Sequence, residues 1–91
     1  IAAGADPNSR DRDGQTPLIG AACKGYTGVM KTLIDAGADI EQPDKHGATT
    51  LMYAACKGQP QAAALLLAEG ANPKAIDDDR STALLWAAER G

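Results

Sequence analysis

The sequence predicts an all-helical solenoid, a row of helix–turn–helix layers stacked side by side, and three observations predict it. The first is an internal repeat. TPLIGAACKG from Thr16, TTLMYAACKG from Thr49 and TALLWAAERG from Thr82 begin 33 residues apart without a gap. GADPN from Gly4, GADIE from Gly37 and GANPK from Gly70 keep the same period, as do Asp11, Asp44 and Asp77. Self-similarity at a fixed period of this length marks stacked units that bury their apolar faces against one another. The second is composition. Apolar residues make up 44% of the 91, yet the chain has no Phe, one Trp and two Tyr. A core built mostly from Ala, Leu and Ile suits thin layers of closely packed helices better than one globular core around large aromatics. The third is that helix start and stop signals recur at the same place in every period.

Thr16 supplies a capping hydroxyl, and Pro17 is suited to the first helical position. Leu18, Ala21 and Ala22 then form an i, i+3, i+4 apolar stripe that Gly25 ends. The next period repeats this with Leu51, Ala54, Ala55 and Gly58, and the last with Leu84, Ala87, Ala88 and Gly91. A second helix follows in two periods. Val29, Met30, Leu33 and Ile34 line one, before Gly37. Pro60 opens the other, where Ala62, Ala63, Leu66 and Leu67 are expected inside, before Gly70. Gly37 and Gly70 fall where a chain leaving a helix takes a left-handed residue. Helices are therefore expected near 17–24, 27–36, 50–57, 60–69 and 83–90. The polar stretches between, such as 39–47, are rich in turn formers.

These blocks together resemble the ankyrin repeat, whose pattern runs D-x-x-G-x-T-P-L-H-x-A-A, a glycine, a second helix and G-A-D. The resemblance covers all 91 residues. It implies one array domain over 1–91, in which 1–10 close a repeat, 11–43 and 44–76 are whole repeats, and 77–91 are the first half of another. It also implies projecting β-hairpin or loop fingers between the layers. Three departures stand out. Ile19, Met52 and Leu85 replace the histidine, removing its usual hydrogen bonds. Thr50 and Ala83 replace the proline. Arg80 stands where Gly14 and Gly47 occupy the other fingers, so the third finger is expected to differ. No repeat with a polar outer face is recognisable at either end. The apolar ends are therefore expected to be covered by further chain or by a neighbouring molecule stacked end to end.

Chemistry-bearing patterns are few. Asp11-Arg12-Asp13-Gly14 lacks the spacing of a calcium loop, and its twelfth position is Ala22 rather than a bidentate glutamate. Asp77, Asp78 and Asp79 read as a solvated fingertip. The only histidine, His46, has neither the cysteines nor the serine that a zinc site or a hydrolytic triad requires at matching positions. No phosphate loop or dinucleotide fingerprint is present. No enzyme activity and no cofactor is expected. Nine Lys and Arg against twelve Asp and Glu leave a net charge of −3, which disfavours sequence-independent nucleic-acid binding. No apolar run approaches the ~20 residues a membrane helix needs. Two cysteines without a disulfide framework fit a reducing, cytoplasmic setting.

What remains is surface. The resemblance implies a protein–protein interaction scaffold, its partner held in a concave groove of fingertips and first helices. It maps that groove onto Arg12, Asp13 and Gln15, then Lys45, His46 and Ala48, then Asp78, Asp79 and Ser81. The helices add Cys23, Lys24, Cys56, Lys57, Glu89 and Arg90. Lys24, Lys57 and Arg90 share a repeat position and are expected to form a basic ridge. Such a ridge complements the helix dipoles, and it also suits an acidic segment of a partner protein. Trp86, aligned with Gly20 and Tyr53, is expected to pack between repeats. Two alternatives are a purely architectural spacer and a small-ligand or nucleotide-binding array, the latter disfavoured by the shortage of aromatic side chains for base stacking. Cys23 and Cys56 belong to neighbouring helices about 8–10 Å apart, beyond the roughly 7 Å a disulfide spans. Both thiols are accordingly expected to stay free in the folded protein. Non-reducing mass spectrometry showing an intramolecular Cys23–Cys56 link would contradict the stacking itself.

Overall fold

The computed structural model of the chain describes the backbone of residues 6–90 and the side chains of residues 6–88. The apolar turn expected at residues 1–3, the Gly4 block and Gly91 lie outside the described residues. Five helices follow in order: α1 (Pro17–Lys24), α2 (Thr27–Asp35), α3 (Thr50–Cys56), α4 (Pro60–Ala68) and α5 (Ala83–Arg90). α1 packs on α2 and α3 on α4 to make two layers. Between layers α1 lies against α3, α3 against α5, and α2 against α4. The first helices thus form one row and the second helices another.

Local chemistry sets the helix ends. The Thr16 hydroxyl accepts the N–H of Ile19 at 3.2 Å with Pro17 in the first turn, and Thr49 does the same for Met52 at 3.3 Å. Met52 returns the contact, its sulfur accepting the Thr49 N–H at 3.4 Å. This bond stays within the helix's own cap and does not reach a neighbouring loop. Past α2 and α4, Gly37 and Gly70 take φ of 101° and 95°, the turn that lets each chain leave its layer.

The core runs between the two rows of helices. Leu18, Ile19, Met30, Met52 and Leu66 are fully enclosed among Ala22, Ala54 and Ala62, each large side chain contributing roughly 1.5–3 kcal/mol. Four residues expected inside are not. Val29 is 50% exposed, Leu67 48% and Leu84 78%, and Ala88 is exposed as well. In each case the missing cover is a neighbouring helix. Ala62, one period after Val29, is enclosed, and Ile34, one period before Leu67, packs against the core. Leu18 and Leu51, the equivalents of Leu84, are buried. They are covered by α2 and α4, and no such helix follows α5 among the described residues.

The fingers are tight turns, with no strand among the described residues. Each is closed by two backbone bonds at 2.9–3.0 Å: Asp11 N–H to Gln15 O, Asp44 to Ala48 and Asp77 to Ser81 across five residues, and the N–H of Gly14, Gly47 or Arg80 back to the carbonyl of its aspartate. A hairpin needs a ladder of such bonds, and these loops are too short to make one.

Gly20 lies exposed in the middle of α1, and a methyl group there would meet nothing within 4 Å. Gly20→Ala should raise stability by about 0.5–1 kcal/mol through the lost backbone entropy of glycine, measurable as a higher urea midpoint with unchanged slope. A fall in the midpoint would mean that α1 depends on that gap.

Candidate functional site

Each finger is organised by its aspartate. Oδ1 accepts two backbone N–H groups at 2.9 Å, two and four residues on: Asp13 and Gln15 for Asp11, His46 and Ala48 for Asp44, Asp79 and Ser81 for Asp77. This geometry favours aspartate, whose short side chain bonds its own following backbone. The fingers are also tied to one another. The N–H of Lys45 donates to the Asp13 carbonyl at 3.1 Å, and that of Asp78 to the His46 carbonyl at 2.9 Å.

The free Oδ2 of the second and third aspartates reaches a first helix. Tyr53 on α3 donates its hydroxyl to Asp44 Oδ2 at 2.5 Å and receives the Gln15 amide at 3.2 Å. Trp86 on α5 donates Nε1–H to Asp77 Oδ2 at 2.9 Å. The two rings meet edge to face, 5.3 Å between centroids, an arrangement favoured by the aromatic quadrupole. Packing between repeats was expected of Trp86. The brace from aromatic to finger was not, although its signal, an aromatic nine residues after the aspartate, stands in the sequence.

These bonds set the electrostatics. Burial opposes ionisation of Asp44, but the Tyr53 hydroxyl and the N–H groups of Ala48 and His46 outweigh it and hold its pKa below the ordinary value. At Asp77 desolvation is likewise overcome, here by the Ser81 N–H, the Trp86 indole and the Asp79 N–H. Tyr53 is pushed up to about 12, by burial first and then by its bond to the Asp44 carboxylate.

The other mapped residues separate into several groups. Arg12, Asp13, Lys45, His46, Asp78 and Asp79 are exposed at the fingertips, and Lys24 and Lys57 at the ends of α1 and α3. Lys45 pairs with Asp13 across two fingers at 3.3 Å, an exposed bridge of little energetic weight. Lys24 stands 6.0 Å from the Tyr26 ring centre. Gln15 and Ser81 are half-buried, with the Gln15 amide committed to Tyr53. Ala48 was mapped to the groove in error. It is 1% exposed and belongs to the core, because the residue that closes each finger turns inward to enter the helix. The side chains of Glu89 and Arg90 lie outside the described residues, so the ridge is described only at Lys24 and Lys57.

Cys23 and Cys56 are half-buried and free. Burial pushes the Cys23 thiol up, against the pull of Lys57 and with the help of Cys56, so it stays protonated at neutral pH. Further polar links join the layers outside the mapped set. Gln59 Nε2 donates to the Cys23 carbonyl at 3.1 Å, satisfying an end of α1. Asn8 Oδ1 accepts the Asp39 N–H, and one period on Glu41 Oε1 accepts the Asn72 N–H.

Among the described residues no group of three His, Cys, Asp or Glu side chains is placed to hold a metal ion. No described helix is long and apolar enough to cross a membrane.

Layers of paired helices joined by aspartate-closed fingers define a repeat solenoid whose exposed polar side chains line up on one frame. A family model for ankyrin repeats, in three copies, matches residues 1–77. The chain belongs to the ankyrin-repeat family, whose repeats generally serve as protein-interaction modules and not as enzymes. No curated protein matches the chain at a significant level.

Removing the Tyr53 hydroxyl tests the brace. Tyr53→Phe should cost about 1.5–3 kcal/mol at neutral pH, as for a hydrogen bond to a charged group. The sign with pH follows from the two shifts. Asp44, depressed when folded, stabilises above its unfolded value near 3.9, and that stability is lost as pH falls through the folded pKa. Tyr53, raised, stabilises below its unfolded value near 10 and loses this as pH rises toward about 12. The variant should begin acid unfolding at higher pH and lose the alkaline decline. Denaturation curves of the two proteins that superimpose from pH 2 to 12 would show the brace to be inert.

Proposed function

We propose that the chain is a protein-interaction scaffold that holds a segment of another protein in a concave groove between its fingertips and the ends of its first helices. One observation carries this reading. The three fingers share one backbone turn and one set of hydrogen bonds, yet present different side chains at equivalent positions: Arg12, Lys45 and Asp78, then Asp13, His46 and Asp79. A purely architectural row needs only the shared turn. Varied tips on a uniform frame are what recognition requires. The frame is already rigid, so little entropy is lost on binding and a modest set of side chains gives useful affinity.

The experiment is a selection of random twelve-residue peptides displayed on phage against the folded chain, followed by affinity measurement. Lys24→Glu combined with Lys57→Glu should weaken the selected peptides by at least about tenfold, or roughly 1.4 kcal/mol, with helicity intact. Lys31→Glu, exposed on α2, should leave them unaffected. Peptides sensitive to Lys31 and indifferent to Lys24 and Lys57 would place recognition on the second-helix row and overturn the groove.

A further inference from the structure

Cys23 and Cys56 stand one period apart, in the last turns of α1 and α3. Both are half-buried, and neither is in a disulfide. The layers that carry them are tied together at this place. Gln59, three residues after Cys56, donates its amide to the Cys23 carbonyl at 3.1 Å. Its side chain also packs on the end of α1, where a Cβ on Gly25 would meet Gln59 Oε1 at 2.6 Å. Because α1 and α3 pack directly on each other, the spacing of the two cysteines does not depend on what precedes α1 or follows α5. Length decides what the pair can do. Equivalent positions on helices packed side by side are separated by the interaxial distance, about 8–10 Å. A disulfide joins Cα atoms about 5.5–6.8 Å apart through one S–S bond of about 2.05 Å. A single atom between the sulfurs replaces that bond by two of about 2.3 Å each, lengthening the reach by roughly 2.5 Å. The bridged span, about 8–9 Å, matches the helix spacing. The pair is too wide for a disulfide and wide enough for one bridging atom.

The donor set names the class of that atom. No third His, Cys, Asp or Glu joins the two sulfurs among the described residues, which rules out the four-ligand site that structural zinc requires. Thiolates select soft ions, and the closed-shell Cu(I) ion is satisfied by two sulfurs in a line. The charge balance is favourable as well. Two thiolates and one monovalent cation leave a single negative charge, and Lys24 and Lys57 lie exposed at the same helix ends. Burial pushes the Cys23 thiol up while Lys57 pulls the other way, so the ion has to displace a proton there. On binding, two S–H bonds break and two S–Cu bonds form. Both protons pass to water, and no electron is transferred.

We propose that Cys23 and Cys56 form a two-coordinate site for Cu(I) that bridges α1 and α3. The proposal is independent of the groove reading above. The probe is Cu(I) itself, supplied without oxygen as its bicinchoninate complex, whose colour fades as the protein withdraws the ion. The chain should take up one Cu(I) and stay monomeric, and both thiols should then resist iodoacetamide as read by mass spectrometry. X-ray absorption should show two sulfur neighbours and no third ligand. Cys23→Ser and Cys56→Ser should each weaken binding by at least about a hundredfold, because either leaves the ion a single thiolate, with helicity by circular dichroism intact. Copper that stays with the chelator would overturn the site. So would two ions bound independently per chain, an ion that joins two chains, or a single variant that binds as the parent does. The iodoacetamide result on the unaltered chain decides the matter even where a serine variant fails to fold.

Discussion

A carboxylate that closes a turn on its own following backbone underlies the whole array. Asp11, Asp44 and Asp77 each hold two N–H groups, and the chain then enters the next first helix from the same turn. The first helices fall into one row, α1 against α3 and α3 against α5. Because the turn repeats, the carbonyl of one finger meets the N–H of the next. Short-range chemistry within five residues is thereby converted into order along the molecule.

The second and third aspartates carry a further load. Their remaining oxygen binds Tyr53 or Trp86 from the helix that follows, so finger and helix are joined at two points instead of one. Asp11 has no aromatic to bind, since Gly20 stands at the equivalent place. The first finger instead sends Gln15 to the Tyr53 hydroxyl. The braces are thus unequal along the array, and the first finger leans on the second layer where the others are held by their own. Surface ion pairing adds little to this, because the one cross-finger pair among the described residues, Lys45 with Asp13, is largely exposed.

The sequence was a good guide wherever a residue's role depends on its own repeat. Helix ends are an example: Thr16, Pro17 and Gly25 announce α1 in local chemistry, and α1 runs over Pro17–Lys24 as expected. It was a poor guide wherever the role depends on the neighbouring layer. Val29 and Ala62 occupy one repeat position, and the presence of α2 beside α4 separates their burial. Ala48 was misread because pattern alone does not say which finger residues turn inward. The aromatic brace went unread for a different reason. Tyr53 and Trp86 were seen as apolar bulk, and their polar atoms find the aspartates only once the turn brings position nine over position one.

Arg80 also bears on how such an array can change length. A unit whose finger carries glycine at the fourth position offers a seat to the finger that follows, so a further unit of this kind can be spliced in ahead of Arg80 and keep the same stacking. At Arg80, with φ of 62°, a Cβ stands in that seat, and a finger after it has to give way by a few tenths of an ångström. Growth by tandem duplication is therefore easier on one side of that arginine than on the other. A single codon at this position gives an otherwise symmetrical row a direction.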